Sequence, residues 1–94
     1  MRWIRSVVLG VSPEEQDRYL ERIDAFSRAA VESGRVKGFY LVESADRPGE
    51  FQEFWEYADR DHARAHAREL DGVDRGIRER AGGAPVVSDW QQRL

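Results

Sequence analysis

The segment from Trp3 to Val11 has apolar side chains on both faces of an extended chain. Two alternating sets of positions are apolar, one made of Trp3, Val7, Leu9 and Val11 and the other of Ile4 and Val8. Successive side chains of a strand point to opposite faces, so a strand that is apolar on both faces needs cover on both sides. This segment therefore predicts a central strand that is buried on both faces.

A helix is predicted directly after this strand, from about residue 13 to residue 33. Ser12-Pro13-Glu14-Glu15 combines a capping residue, a proline at the first helical position and a glutamate three residues after the serine, a pattern that satisfies free backbone N–H groups. Gly34 can adopt the left-handed conformation that ends a helix. One buried stripe follows the spacing of three and four residues: Tyr19, Leu20, Ile23, Phe26, Ala30 and Val31.

A β-hairpin is predicted next. The segment 36–43 has strand composition, Asp46-Arg47-Pro48-Gly49 is typical of a turn, and the segment 50–58 is again strand-like. In the second of these strands Phe51, Trp55 and Tyr57 share one face, while Phe54 lies on the other. Both faces of this strand are apolar enough to need cover.

The last third of the chain predicts a helix, a weaker helical segment and a final strand. Asp59 or Asp61 can cap the helix, which is expected to run to Asp71-Gly72. A weaker helical segment with Val73 and Ile77 follows, and Gly82-Gly83 is expected to end it. The strand is predicted over residues 85–90.

The order strand, helix, strand, strand, helix, strand over residues 1–94 predicts one α+β domain of the ferredoxin-like βαββαβ type. In that fold two helices cover one face of a four-stranded antiparallel sheet. The other face would expose an apolar patch larger than monomers usually show. We therefore expect two copies to pair sheet to sheet as a homodimer, the arrangement of a dimeric α/β barrel.

Composition excludes several classes of function. The chain has no cysteine, which removes disulfides, thiolate metal sites and a cysteine nucleophile and agrees with a reducing compartment, so the cytoplasm is expected. With a net charge of −3 and interspersed charges of both signs, no nucleic-acid partner is expected. No export signal or membrane-spanning run is seen. The absence of GxGxxG, P-loop, GxSxG and HExxH patterns predicts no nucleotide cofactor and no serine-hydrolase or common zinc-protease chemistry.

The stretch from Tyr57 to His66 resembles the dimeric α/β-barrel superfamily and, within it, the antibiotic-biosynthesis-monooxygenase-like domains. Those proteins often have an aromatic residue at the end of the third strand, an acidic turn, and a histidine about two turns into the next helix, and Tyr57, Asp59 and His66 match these positions. The resemblance implies a homodimer with a pocket between sheet and helices. It also implies activities such as cofactor-independent oxygenation of polycyclic phenols, or isomerisation and cyclisation in aromatic and polyketide pathways.

This chain departs from the family pattern in three ways. Trp55 stands where a carboxylate is frequent, and no second histidine follows His66. The asparagine of the related haem-degrading enzymes has no counterpart, because the sequence contains no asparagine. Haem degradation is therefore not expected.

His66 is the candidate general base, since imidazole titrates near neutrality and the helix would project it toward the pocket. A structural hydrogen-bonding role would give the same pattern. His62, four residues earlier, shares its helix face and could bind substrate or join His66 at a metal, but no third ligand is indicated and no metal site is expected. The proposed pocket walls are Trp55, Tyr57, Trp90 and Tyr40, which could equally be core or interface residues. Arg5 could neutralise an anionic ligand group or pair with a surface carboxylate.

Two functions follow from the sequence. The first is a small-molecule-binding enzyme of aromatic or polyketide metabolism, a cofactor-independent monooxygenase or a cyclase/isomerase, with His66 as base or orienting donor. The second is a non-catalytic dimeric module that binds a ligand or a partner. A cavity of ~300 Å³ or more with a convergent histidine would favour the enzyme, and an interior filled by its aromatics would favour the module.

Overall fold

In the computed structural model, residues 1–81 and 85–94 are described, with the side chains of residues 71–74, 78, 80 and 81 left aside. Its elements are strand β1 (Trp3–Gly10), a short 3-10 helix (Pro13–Glu15), helix α1 (Gln16–Glu32), strands β2 (Gly38–Glu43) and β3 (Glu50–Tyr57), helix α2 (Arg60–Ala81) and strand β4 (Val86–Gln91). The four strands form one antiparallel sheet in the order β2-β3-β1-β4. This confirms the predicted ferredoxin-like βαββαβ fold.

β1 is a central strand, as its two apolar faces predict. Val7 and Leu9 are buried beneath the helices, together with Phe51 and Trp55 of β3 and Tyr19 and Ile23 of α1. α1 packs on the β2 side of the sheet and α2 on β1 and β3. The hydrophobic core therefore lies between the sheet and the two helices.

The second face of the sheet has no cover among the described residues. The strand register places Ile4, Val8, Phe54, Tyr40, Val42, Val86 and Trp90 on this face. Its central residues Ile4 and Val8 are half-buried, while Tyr40, Val42, Val86 and Trp90 are exposed. We call this surface the open face, and it has the apolar character that the sequence predicts.

The start of α1 differs from the predicted reciprocal cap. Ser12 makes no side-chain cap hydrogen bond. Instead, Pro13–Glu15 forms a 3-10 turn in which the Glu15 N–H donates to the Ser12 carbonyl over 2.9 Å, and the Gln16 side chain donates to the Val11 carbonyl over 3.2 Å. The predicted end is confirmed, because Gly34 has a φ of 78°. The N–H groups of Arg35 and Val36 both donate to the Ala30 carbonyl, so β2 begins only at Gly38.

The predicted hairpin turn between β2 and β3 is also present. Gly49 has a φ of 92°, and its N–H donates to a Glu43 carboxylate oxygen over 2.9 Å. A Cβ atom at this position would approach the Val11 carbonyl oxygen to 3.1 Å. The positive φ therefore favours glycine, and a side chain would also be tight against the residue that follows β1.

The predicted break in the second helix at Asp71-Gly72 is wrong, because α2 is continuous from Arg60 to Ala81. A glycine inside a helix costs only about 1 kcal/mol relative to alanine. Leu70 before this point is buried and Ile77 after it packs against the core, so tertiary packing on both sides outweighs that cost. The predicted helix end at Gly82-Gly83 lies outside the described residues. Asp59, rather than Asp61, caps α2, since its Oδ1 accepts the His62 backbone N–H over 2.8 Å.

Candidate functional site

The predicted pocket residues lie on two sides of the sheet. Trp55 and Tyr57 point from β3 toward the helices, whereas Tyr40 and Trp90 lie on the open face, on the two edge strands β2 and β4. Tyr40 stacks on Phe54 with 4.7 Å between ring centroids, and the Trp90 indole donates to the Ser6 hydroxyl over 2.8 Å. One chain therefore does not bring these four aromatics into one cavity.

Trp55 and Tyr57 are part of the packed core. Trp55 is 3% exposed and Tyr57 is 1% exposed. The Trp55 ring contacts the rings of Phe26 and Phe39, with centroid separations of 5.7 and 4.4 Å. The Tyr57 ring meets the edge of His62 at 5.7 Å. These contacts fill the space that the sequence assigned to a ligand.

A buried carboxylate, which the sequence analysis did not single out, lies beside Trp55. Glu53 is 0% exposed, and its two oxygens accept from the Tyr19 hydroxyl over 2.7 Å and from the Trp55 indole N–H over 2.9 Å. Buried carboxylates require such donors, because an unpaired charge in the core is very costly. The available signal was the position of Glu53 on the apolar parity of β3, between Phe51 and Trp55.

His62 is held by backbone groups on both ring nitrogens. Nδ1 accepts the Ala58 N–H over 3.0 Å, and Nε2 lies 3.0 Å from the Gly34 carbonyl oxygen. Because a carbonyl can only accept, Nε2 is the donor in this contact while Nδ1 is the acceptor from Ala58. The ring therefore ties the start of α2 to the end of β3 and to the loop after α1, which is a structural role.

His66 lies one helical turn after His62 on the same side of α2. The two rings meet edge to face, with 4.9 Å between their centroids. The His66 side chain is half-buried, and no hydrogen bond to its ring is present among the described residues. The ring nitrogens are thus chemically available, at the junction between α2 and α1.

The opposite flank of α2 borders an open pocket of about 570 Å³. We call it the α2 pocket. Its described lining comes from α2 and from strands β1 and β4: Trp3, Arg5, Arg60, Ala63, Arg64, Ala67, Arg68, Arg75 and Asp89. Ala63 and Ala67 are buried against the sheet between the two flanks, so His66 does not line this pocket.

The floor of the α2 pocket holds an ion pair. Arg5 donates through Nε to Asp89 Oδ1 over 2.9 Å and through an Nη to Oδ2 over 3.3 Å. This two-point contact fixes the guanidinium, whose side chain is 19% exposed. Arg5 therefore faces the helix-covered side, where it could meet an anionic ligand group. It is also paired with a carboxylate, which is the other role that the sequence predicts for it.

The row of arginines on α2 was not recognised in the sequence. Arg60, Arg64 and Arg68 are four residues apart, which places them on one helix flank. Charged residues on a helix, such as the neighbouring Arg60 and Asp61, are usually solvated surface. The spacing of four was the signal that could have revealed this row.

A second groove, of about 550 Å³, runs between α1 and β2. Leu20, Ile23, Val31 and Leu41 supply apolar lining, and Asp24 and Arg28 stand at its side. The hydrogen bond from Arg28 to Asp24 raises the pKa of that guanidinium. Glu32 also lines this groove, so two carboxylates and one guanidinium stand at its side.

Neither a metal-binding cluster nor a membrane-spanning helix is found in the part of the chain that the structure describes. No group of three or more histidine, cysteine, aspartate or glutamate side chains is placed to hold a metal ion there. No helix in the same part is long and apolar enough to cross a bilayer.

The fold is shared with several solved structures. A candidate antibiotic biosynthesis monooxygenase from Deinococcus radiodurans is similar over 98% of this chain and 93% of its own, with a TM-score of 0.80 and 10% identity. A dimeric ferredoxin-like protein from an uncultured marine organism matches over 99% and 96% of the two chains, with a TM-score of 0.78 and 12% identity. The chain thus has the fold of the antibiotic-biosynthesis-monooxygenase-like domains, as its sequence resemblance predicts.

One similar structure comes from a protein of described activity. A variant of SnoaB, a cofactor-independent oxygenase from Streptomyces nogalater, matches over 99% of this chain and 94% of its own, with a TM-score of 0.72 and 15% identity. No protein-family model and no curated protein sequence matches the chain. At these identities the likeness defines the fold.

Proposed function

We propose that this chain functions as a homodimer that binds a small aromatic molecule in the α2 pocket. The observation that supports this most directly is an open cavity of about 570 Å³ with the Trp3 ring in its wall. Small-molecule sites are commonly cavities of roughly 300–1,000 Å³, and this one combines the Trp3 side chain with several charged groups. Ala63 and Ala67 have short side chains on the helix side of the cavity, which leaves room between helix and sheet for a flat ligand.

Homodimer formation is proposed through the open face. Its exposed apolar residues include Val86 and Trp90, which are 63% and 57% exposed in the single chain. A second copy would bury them against the same residues of its own sheet. The similarity to a dimeric ferredoxin-like protein supports this arrangement. The α2 pocket lies on the helix-covered side, so pairing of the sheets would leave it open.

The dimer is tested by two matched substitutions. Val42 on the open face and Val31 on α1 are 44% and 41% exposed. Val42→Glu should convert the dimer to a monomer in sedimentation-velocity analysis, because it places a charge in the apolar contact. Val31→Glu should leave the dimer intact. A wild-type chain that sediments as a monomer would contradict the proposal.

Ligand binding is tested with 2-naphthol by calorimetric titration. Trp3→Leu should weaken binding at least tenfold, since it removes the aromatic wall. Leu20→Ala provides the control, because it shortens an apolar side chain in the other groove. Loss of binding in Leu20→Ala with full binding in Trp3→Leu would move the site to the groove between α1 and β2. Circular dichroism of each variant verifies that the fold is retained.

A second candidate is catalysis on an aromatic or polyketide substrate, by cofactor-independent oxygenation or by cyclisation or isomerisation. The half-buried His66 ring, without a hydrogen bond among the described residues, favours it, as does the similarity to SnoaB. Binding without catalysis has the stronger support, because Trp55 and Tyr57 fill the core and His66 lies on the flank of α2 away from the pocket.

The two candidates differ in turnover. Oxygen uptake with a polycyclic phenol, measured above the uncatalysed rate, should be absent for the binding module. Turnover that falls at least tenfold in His66→Ala would instead support the enzyme. Full turnover in His66→Ala would exclude His66 as the base.

A further inference from the structure

The described lining of the α2 pocket is strongly cationic. It includes five guanidinium groups, from Arg5, Arg60, Arg64, Arg68 and Arg75, and the single carboxylate of Asp89. The whole chain has the opposite balance, with a net charge of −3. Positive charge is therefore concentrated in a cavity whose lining also includes a tryptophan.

Little of this positive charge is neutralised by the described residues. Arg5 pairs with Asp89, and the Arg60 guanidinium lies 6.0 Å from the centroid of the Trp3 ring. Arg64, Arg68 and Arg75 make no ion pair with any residue whose side chain the structure describes. These three side chains thus line the cavity without a carboxylate partner among the described side chains.

The spacing of the arginines has an energetic cost. Like charges four residues apart on a helix repel each other, and Arg60, Arg64 and Arg68 form two such pairs in succession. An anion between these side chains and Arg5 would replace the repulsion with attraction. Guanidinium groups also match carboxylate and phosphate oxygens with paired hydrogen bonds.

We propose that the α2 pocket binds a small planar organic anion, which carries either two carboxylates or one phosphate monoester. This inference rests on the proposed function, because it names the chemistry of the ligand in the same pocket. The Trp3 ring contacts the flat body of the ligand, and Arg64 and Arg68 bind its charged groups. Asp89 restricts the site, since it holds Arg5 at one end and repels a ligand group placed directly over it.

The test compares ligands that share one ring system. Calorimetric titrations at low ionic strength use naphthalene-2,6-dicarboxylate, 2-naphthyl phosphate and the uncharged naphthalene-2,6-dicarboxamide. We expect both anions to bind at least tenfold more tightly than the dicarboxamide. Stronger binding of the dicarboxylate or of the phosphate identifies which of the two anionic groups the site prefers.

Variants then test whether the arginines cause the preference for anions over the dicarboxamide. The double variant Arg64→Gln/Arg68→Gln should weaken anion binding roughly 10- to 100-fold, as expected for loss of charge-assisted hydrogen bonds, and should weaken dicarboxamide binding much less. Arg18→Gln is the matched control, because Arg18 is an exposed arginine on α1 outside the pocket. It should bind all three compounds as the wild type does.

Each contrary result has a distinct meaning. Equal affinity for the dicarboxylate and the dicarboxamide would overturn the anion inference and leave aromatic binding standing. Failure of all naphthalene compounds, with inorganic phosphate still bound and released by the double variant, would overturn the proposed function and retain an anion site. Tighter binding of a short DNA duplex than of either anion, lost in the double variant, would overturn the inference in favour of nucleic acid. Failure of every probe would overturn both.

Discussion

The two flanks of α2 hold polar side chains in opposite states. On the flank toward α1, His62 has both ring nitrogens bonded to backbone groups, and Glu69 pairs with Arg35 over 3.0 Å. On the flank toward β1 and β4, Arg64 and Arg68 have no ion-pair partner among the described residues. One helix thus has a flank on which the fold pairs His62 and Glu69, and a flank on which it leaves two arginines for solvent or a ligand.

This difference shows why residue type alone misassigns function. Histidine is the usual candidate for chemistry and arginine on a helix is usually solvated surface. Here His62 is a structural connector, while the arginines line the cavity. The hydrogen-bond and ion-pair partners that each polar side chain has within the fold distinguish His62 from these arginines.

The largest expected change in stability is at His62, on the flank of α2 toward α1. His62→Ala should lower the free energy of unfolding by about 1–3 kcal/mol, because it leaves the Ala58 N–H and the Gly34 carbonyl without their partner. Urea unfolding followed by circular dichroism measures the loss. His66→Ala is the companion variant and should cost less, since no ring hydrogen bond is known for it among the described residues. A larger loss for His66→Ala would assign it the structural role instead.

A smaller loss is expected at the cap of the same helix. Asp59→Ala removes the acceptor of the His62 backbone N–H and should cost about 1 kcal/mol. Asp61→Ala, in the first turn but without this bond, is the control. Equal losses from the two variants would show that charge near the helix N-terminus, rather than the cap, stabilises α2.

The smallest effect should have the opposite sign. Arg64→Gln/Arg68→Gln removes two like-charge pairs and should raise the free energy of unfolding by ~0.2–0.5 kcal/mol per pair in the absence of ligand. Thermal unfolding at low and high salt measures this gain, which screening should reduce. Destabilisation by the double variant would mean that these arginines have structural partners and that the two flanks are alike.

Much of the fold could be predicted because it depends on local patterns. Alternation of apolar residues defined β1 and β3, and Gly34 and Gly49 occupy the left-handed positions expected of a helix end and a turn. The break in α2 was predicted wrongly since helix propensity at Gly72 is a local quantity, whereas the packing of Leu70 and Ile77 is not.

The candidate site was less predictable, because it depends on which element lies over which strand. Trp55 and Trp90 are both aromatic strand residues, yet the register places them on opposite faces of the sheet. The α2 pocket joins Trp3 and Arg5 to arginines more than fifty residues later, and no local pattern links them. Glu53 was overlooked for the same reason, since its donor Tyr19 lies on another element.

The Glu53 carboxylate also limits how helix α1 can pack on the sheet. Tyr19 on α1 and Trp55 on β3 both donate to it, so helix and sheet share one buried acceptor. If α1 slid or rotated by one residue, Glu53 would lose a donor and a buried polar group would be left unsatisfied, at a cost of about 1–3 kcal/mol. An apolar residue at this position would tolerate many such packings. A shared buried acceptor therefore favours a single alignment of the two layers.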